Sequence, residues 1–83
     1  MSKRQKILKK ILAGSRYIPF DDFLLIVEGF GFHPSRINGS HHIFVHPKVR
    51  ELVNLQNVNG KVKPYQVRQF MELVERYNLA LES

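Results

Sequence analysis

The 83-residue sequence contains no cysteine, which removes a disulfide framework and a thiolate metal site from consideration and fits a reducing compartment. It has no long hydrophobic run. The longest apolar stretch, Phe23-Leu24-Leu25-Ile26-Val27, is bounded by Asp21, Asp22 and Glu28, far short of the roughly 20 residues that span a bilayer. The N-terminus is basic but lacks the apolar segment and small-residue cleavage site of a signal peptide. A cytoplasmic protein with no membrane partner is expected. Gly29-Phe30-Gly31 lacks the remainder of either a phosphate-loop or a dinucleotide-binding pattern. The length allows one domain, spanning residues 1–83, and no more.

Acidic residues are also few, seven against 13 lysines and arginines. Lys3, Arg4, Lys6, Lys9, Lys10 and Arg16 precede the first acid, Asp21. The seven later cations are matched by the seven acids, so the net charge of +6 resides in the N-terminal segment, about 1–16. Such a concentrated field attracts a polyanion or an acidic protein surface; the same charges would also serve as a plain solvated helix face.

Apolar periodicity organises the rest. Ile7, Leu8, Ile11 and Leu12 form one stripe of a helix over 3–13 that ends at Gly14-Ser15. Phe20, Phe23, Leu24 and Val27 mark a second helix over 19–29, with Pro19 at its start and Asp21 and Asp22 at the positive end of its dipole. Three strands are expected at 31–37, 41–46 and 51–57. Pro34 demotes the first to an edge or a bulge, and Asn38-Gly39 and Asn59-Gly60 read as turns. A last helix over 64–77 begins at Pro64 and presents Val67, Phe70, Met71, Val74 and Tyr77. The order α-α-β-β-β-α gives an α+β fold, a three-stranded antiparallel sheet with helices packed on one face and the other face open to a ligand.

Chemistry concentrates in Gly39-Ser40-His41-His42-Ile43-Phe44-Val45-His46-Pro47. Strand alternation puts His41, Ile43 and Val45 on one face and His42, Phe44 and His46 on the other. With Ile43 and Val45 as the expected core pair, His41 falls at the core margin, while His42, Phe44 and His46 lie on the open face, where Phe44 could stack on a base. Histidine exchanges protons near neutral pH. RNA is cleaved when a base takes the 2′-hydroxyl proton, an acid protonates the 5′-oxygen and a cation steadies the phosphate. Lys61, Lys63 and Arg68 are candidates for that last role, and Lys3, Lys6, Lys9 and Lys10 for holding the RNA backbone. Ser40 reads first as a turn residue and also as a phosphate contact. A zinc site is disfavoured because the histidines diverge by parity. A serine nucleophile is disfavoured because no acid lies near Ser40 to orient its base. The histidines would otherwise be ordinary strand residues on a non-catalytic RNA-binding module or a basic protein-interaction domain.

The run Gly39–Phe44 with His46-Pro47 resembles the HicA family of bacterial mRNA interferase toxins. Gly29-Phe30-Gly31-Phe32 is similar to the family's glycine–aromatic step, and Gly60-Lys61-Val62-Lys63-Pro64 with the helix after it to its closing segment, so the resemblance covers about 20–79. It implies a fold like a double-stranded RNA-binding domain, metal-independent cleavage of mRNA without a cofactor, and a HicB-type antitoxin that masks the active site. The family's catalytic histidine falls on His41, with His42 as runner-up. Many relatives carry a further histidine after the third strand, near a proline, where this chain reads Asn54-Leu55-Gln56-Asn57-Val58-Asn59, and the basic N-terminal helix is an addition to the family's shortest versions.

Overall fold

A computed structural model describes residues 2–82. The chain runs α1 (Lys3–Leu12), β1 (Ile18–Pro19), α2 (Phe20–Gly29), β2 (His33–Asn38), β3 (His41–His46), β4 (Val49–Gln56), β5 (Lys61–Val62) and α3 (Pro64–Arg76). Ser2 caps α1: its hydroxyl accepts from the Gln5 amide while the Gln5 side chain accepts from the Ser2 amide, which satisfies two otherwise unpaired backbone donors. Pro19 precedes α2 rather than opening it, and Pro64 is the first residue of α3, where its missing N–H costs nothing.

Strands β2, β3 and β4 form an antiparallel sheet in that order. The β2–β3 hairpin closes through Gly39-Ser40, with Asn38 opposite His41, so the turn lies one residue later than Asn38-Gly39. Gly39 takes φ +60, a conformation in which a β-carbon is strained. The register of β2 slips between Pro34 and Arg36. Proline therefore sits on an edge strand beside a bulge, where its missing donor breaks no ladder. The second turn has Asn59 and Gly60, both at positive φ.

The two-residue strands β1 and β5 pair separately, Ile18 with Val62 and Pro19 with Lys61. This second sheet was not expected from the periodicity. It ties the start of α2 to the segment before α3, and the Phe20 amide donates to the Gly60 carbonyl at 2.9 Å.

Helices α2 and α3 bury Phe20, Phe23, Ile26, Val27, Val67, Phe70 and Val74 against Phe32, Phe44, Val49, Val53 and Leu55 of the sheet side. Phe70 lies at the centre, with ring centroids 5.4 Å from Phe23, 5.9 Å from Phe30 and 5.2 Å from Phe32. Edge-to-face and tilted pairs of this kind add about 0.5–1.5 kcal/mol each beyond burial. Helix α1 joins the helix layer through buried Ile7, with Leu8 and Ile11 packed beside it. Leu12, expected on that stripe, is exposed.

The face that β3 turns to this core is the reverse of the expected one. Phe44 is buried, and His42 and His46 pack on core rings. His41 is exposed, while Ile43 and Val45 are half-buried on the outer face. Strand β4 decides the matter. Leu55, Val53 and Val49 lie opposite His42, Phe44 and His46, so the apolar side of β4 and the aromatic side of β3 coincide. Phe44 is thereby withdrawn from any stacking on a base.

Candidate active site

The tight Gly39-Ser40 turn delivers His41 as the first residue of β3, on the outer sheet face and in solvent. Its neighbours there come from β4. Gln56 is directly opposite His41 and Asn54 is opposite Ile43, which makes Asn54 the diagonal neighbour of His41 on the same face. The Asn54 Oδ1 lies 3.2 Å from His41 Nδ1. A carboxamide oxygen only accepts, so Nδ1 is the donor in this bond, and in the neutral ring the lone pair then falls on Nε2. A neutral imidazole in this tautomer is equipped to take a proton.

Asn54 is itself held. The side chain of Gln66, buried on α3, donates from Nε2 to the Asn54 carbonyl at 3.1 Å and accepts at Oε1 from the Gln56 amide at 3.3 Å. One carboxamide thus closes the free edge of β4 at the residues that flank Leu55. Without it, two backbone groups would be left partly buried and unpaired. Sequence reasoning passed over Asn54 and Gln66. The period-2 pattern Val53-Asn54-Leu55-Gln56 would have pointed to Asn54 once the hairpin register was drawn; Gln66 carries no signal except a polar residue on the apolar side of α3.

The other histidines do different work. His42 is half-buried with its ring 4.8 Å from Phe20, and His46 packs 5.0 Å from Phe32. The His46 Nδ1 accepts from the Lys48 amide at 3.0 Å and so caps the β3–β4 turn. Its Nε2 edge faces Gly31, where a β-carbon would lie 2.8 Å away and where φ is +96. His33 and His46 border a cleft at the far end of the sheet, beside Tyr77 and Asn78.

The expected RNA-contacting residues separate into two groups. The Ser40 carbonyl accepts from the Asn57 amide at 3.0 Å, Val58 and Lys61 exchange backbone bonds, and the Gly60 carbonyl receives the Phe20 amide. These bonds tie the Ser40-His41 turn to the segment Asn57–Lys61, with Lys63 two residues further along the chain. Lys3, Lys6, Lys9 and Lys10 stay on α1 in the helix layer, Lys3 at 3.8 Å from Asp22. Arg68 is exposed on α3, bordering a groove with Leu12, Glu72 and Glu75.

Toward the other end of β4, Glu51 accepts from Tyr77 Oη and from Arg76 Nη1, the latter at 2.7 Å. The tyrosine bond, with Arg76 beside it, holds the Glu51 carboxyl below its ordinary value, and the same bond to Glu51 raises the Tyr77 phenol against the opposing charge of Arg76. This cluster fastens the end of α3 to the sheet and lies away from His41.

Among the described residues no three histidines or carboxylates converge as metal ligands, and no helix is long and apolar enough to cross a membrane. The family model for the HicA toxin of bacterial toxin-antitoxin systems matches residues 20–75, from the first residue of α2 almost to the end of α3, and leaves α1 outside. Neither a curated protein nor a solved structure gives a match.

Proposed function

The chain belongs to the HicA toxin family of bacterial toxin-antitoxin systems, and from that membership we propose that it is an endoribonuclease that cleaves mRNA with His41 as general base. The observation that carries this reading is the placement of His41: exposed on the outer sheet face, with Nδ1 held 3.2 Å from Asn54 Oδ1. In the proposed reaction Nε2 accepts the proton of a 2′-hydroxyl. The 2′-oxygen then attacks the adjacent phosphorus, the P–O5′ bond breaks to leave a 2′,3′-cyclic phosphate, and the departing 5′-oxygen takes its proton from water. Lys61 and Lys63 supply positive charge as the phosphate gains negative charge. The chemistry asks nothing of a metal or cofactor. His42, seated on Phe20, acts as a packing residue in this account.

The same reading gives the protein a HicB-type antitoxin that covers His41, and it places the toxin's action in the cytoplasm, where mRNA is exposed. The four-residue spread of lysines on α1 contributes sequence-independent attraction for RNA.

Induced expression in bacteria tests the proposal. The wild type is expected to arrest growth and fragment mRNA, and folded His41→Ala to do neither. If both proteins are harmless while the purified wild type still binds RNA, the chain is a non-catalytic RNA-binding module and the nuclease assignment fails.

A further inference from the structure

Between α1 and β1 the chain passes through Arg16 and Tyr17, and these face the β5–α3 connection across an open cleft of about 300 Å³. Lys61, Lys63 and Pro64 form the opposite wall, with Val58 between. Three cations and no acid border the cleft. Tyr17 is 74% exposed, although the next residue, Ile18, is buried and paired with Val62. The backbone that carries Tyr17 is therefore anchored while its ring stands in water. The Lys61 ammonium lies 5.0 Å from the ring centroid, within the range of a cation–π contact. A ring that buries so little does no service to the core.

An anchored aromatic ring among cations is how proteins hold single-stranded nucleic acid: a base stacks on the ring and the flanking phosphates meet the charges. We propose that this cleft seats one unpaired nucleotide of the RNA substrate, its base on the free face of Tyr17 and its phosphates on Arg16, Lys61 and Lys63. The inference rests on the ribonuclease reading above and deepens it, because it makes the substrate single-stranded beside the cut. Bases inside an A-form duplex are stacked on one another and cannot lie on a side chain. The cleft also adjoins the catalytic turn. Val58 on its wall follows Asn57, whose amide bonds the Ser40 carbonyl next to His41. Arg16 and Tyr17 lie outside the stretch matched by the family model and Lys61 and Lys63 inside it, so the subsite joins the segment before α2 to the turn before α3.

The test measures fluorescence anisotropy with a short labelled single-stranded oligoribonucleotide and with its duplex, in a His41→Ala background that leaves the RNA intact. Loss of one base–aromatic stack in Tyr17→Ala is expected to weaken single-strand binding on the order of tenfold, while Tyr17→Phe stays within about twofold of the parent. Duplex affinity and the melting temperature should not change. Equal single-strand affinity of Tyr17→Ala and the parent overturns the subsite but leaves the ribonuclease reading standing. Equal weakening by Tyr17→Phe overturns the stacking role. A parent that binds no RNA at all removes the ribonuclease reading and the subsite together.

Discussion

Asn54→Leu should slow RNA cleavage without unfolding the protein or weakening substrate binding. Asn54 is exposed on the outer face of β4, so leucine costs the fold little and removes only the acceptor at 3.2 Å from His41 Nδ1. A neutral hydrogen bond in a folded protein has a net worth of about 0.5–1.5 kcal/mol. With a tenfold change for each 1.4 kcal/mol, that is roughly a 2- to 12-fold effect. Both partners are in contact with water, which competes for the bond, so the lower half of the range applies. Without Asn54 the ring turns freely and the tautomer with hydrogen on Nε2, which cannot act as a base, gains population. The expected result is a fall in kcat of about 2- to 5-fold with KM unchanged. Asn54→Asp retains an oxygen that accepts from Nδ1 and should preserve the rate far better. The assay is single-turnover cleavage of a fluorogenic oligoribonucleotide, with circular dichroism as a check on folding. A rate unaffected by Asn54→Leu would refute the orienting role. So would a loss of about 10⁴-fold, the scale seen when a buried carboxylate orients a catalytic histidine, because an exposed amide cannot account for it.

Three further outcomes follow from other parts of the molecule. Gly31→Ala forces a β-carbon to within 2.8 Å of His46 Nε2 at φ +96; strain of about 1–2 kcal/mol plus the weakened Lys48–His46 bond of about 1 kcal/mol should lower Tm by roughly 10–20 °C, and a shift under about 3 °C would show that His46 can yield. Glu51→Gln should be less stable than the wild type at neutral pH, because the bonds from Tyr77 and Arg76 hold the Glu51 carboxyl below its ordinary value. A lowered folded value stabilises above the unfolded value of 4.5 and is lost as pH falls through and below it, so the two urea-denaturation profiles should converge in acid; a constant gap would contradict the linkage. Replacing Lys6, Lys9 and Lys10 with glutamine should flatten the log–log salt dependence of RNA affinity by up to about two units while leaving kcat intact; an unchanged slope would mean that α1 faces another partner.

The helices were legible because each has a strong apolar period and a physical stop. Phe20, Phe23 and Val27 lie on the buried side of α2, and Val67, Phe70 and Val74 on that of α3, as their spacing requires. Strand β3 could be bounded by the turn before it and Pro47 after it. The pairing of β1 with β5 could not be read, since two residues have no measurable period and their partner is more than 40 positions away. The facing of β3, though not its antiparallel direction, differs from the expected one for a specific reason: both its faces carry apolar residues. Ile43 and Val45 are conventional core residues, yet Phe44 with two histidine rings fits the aromatic wall of Phe20 and Phe32. The clean alternation lay on β4, where Val53 and Leu55 contrast with Asn54 and Gln56. That register carries His41 into solvent rather than to the core margin, and it brings Asn54 to its ring. Gly31 showed in sequence as part of the glycine–aromatic step Gly29-Phe30-Gly31-Phe32; its use in leaving room for His46 depends on a contact across 15 positions.

The most direct test of the account compares purified wild type, His41→Ala and His42→Phe, freed of any antitoxin, on a single-stranded mRNA fragment in buffer containing EDTA. Phenylalanine at position 42 keeps a ring against Phe20, so that variant separates packing from catalysis. Cleavage is expected from the wild type and from His42→Phe, and none from folded His41→Ala. Undiminished cleavage by His41→Ala, or its loss in His42→Phe alone, would contradict it.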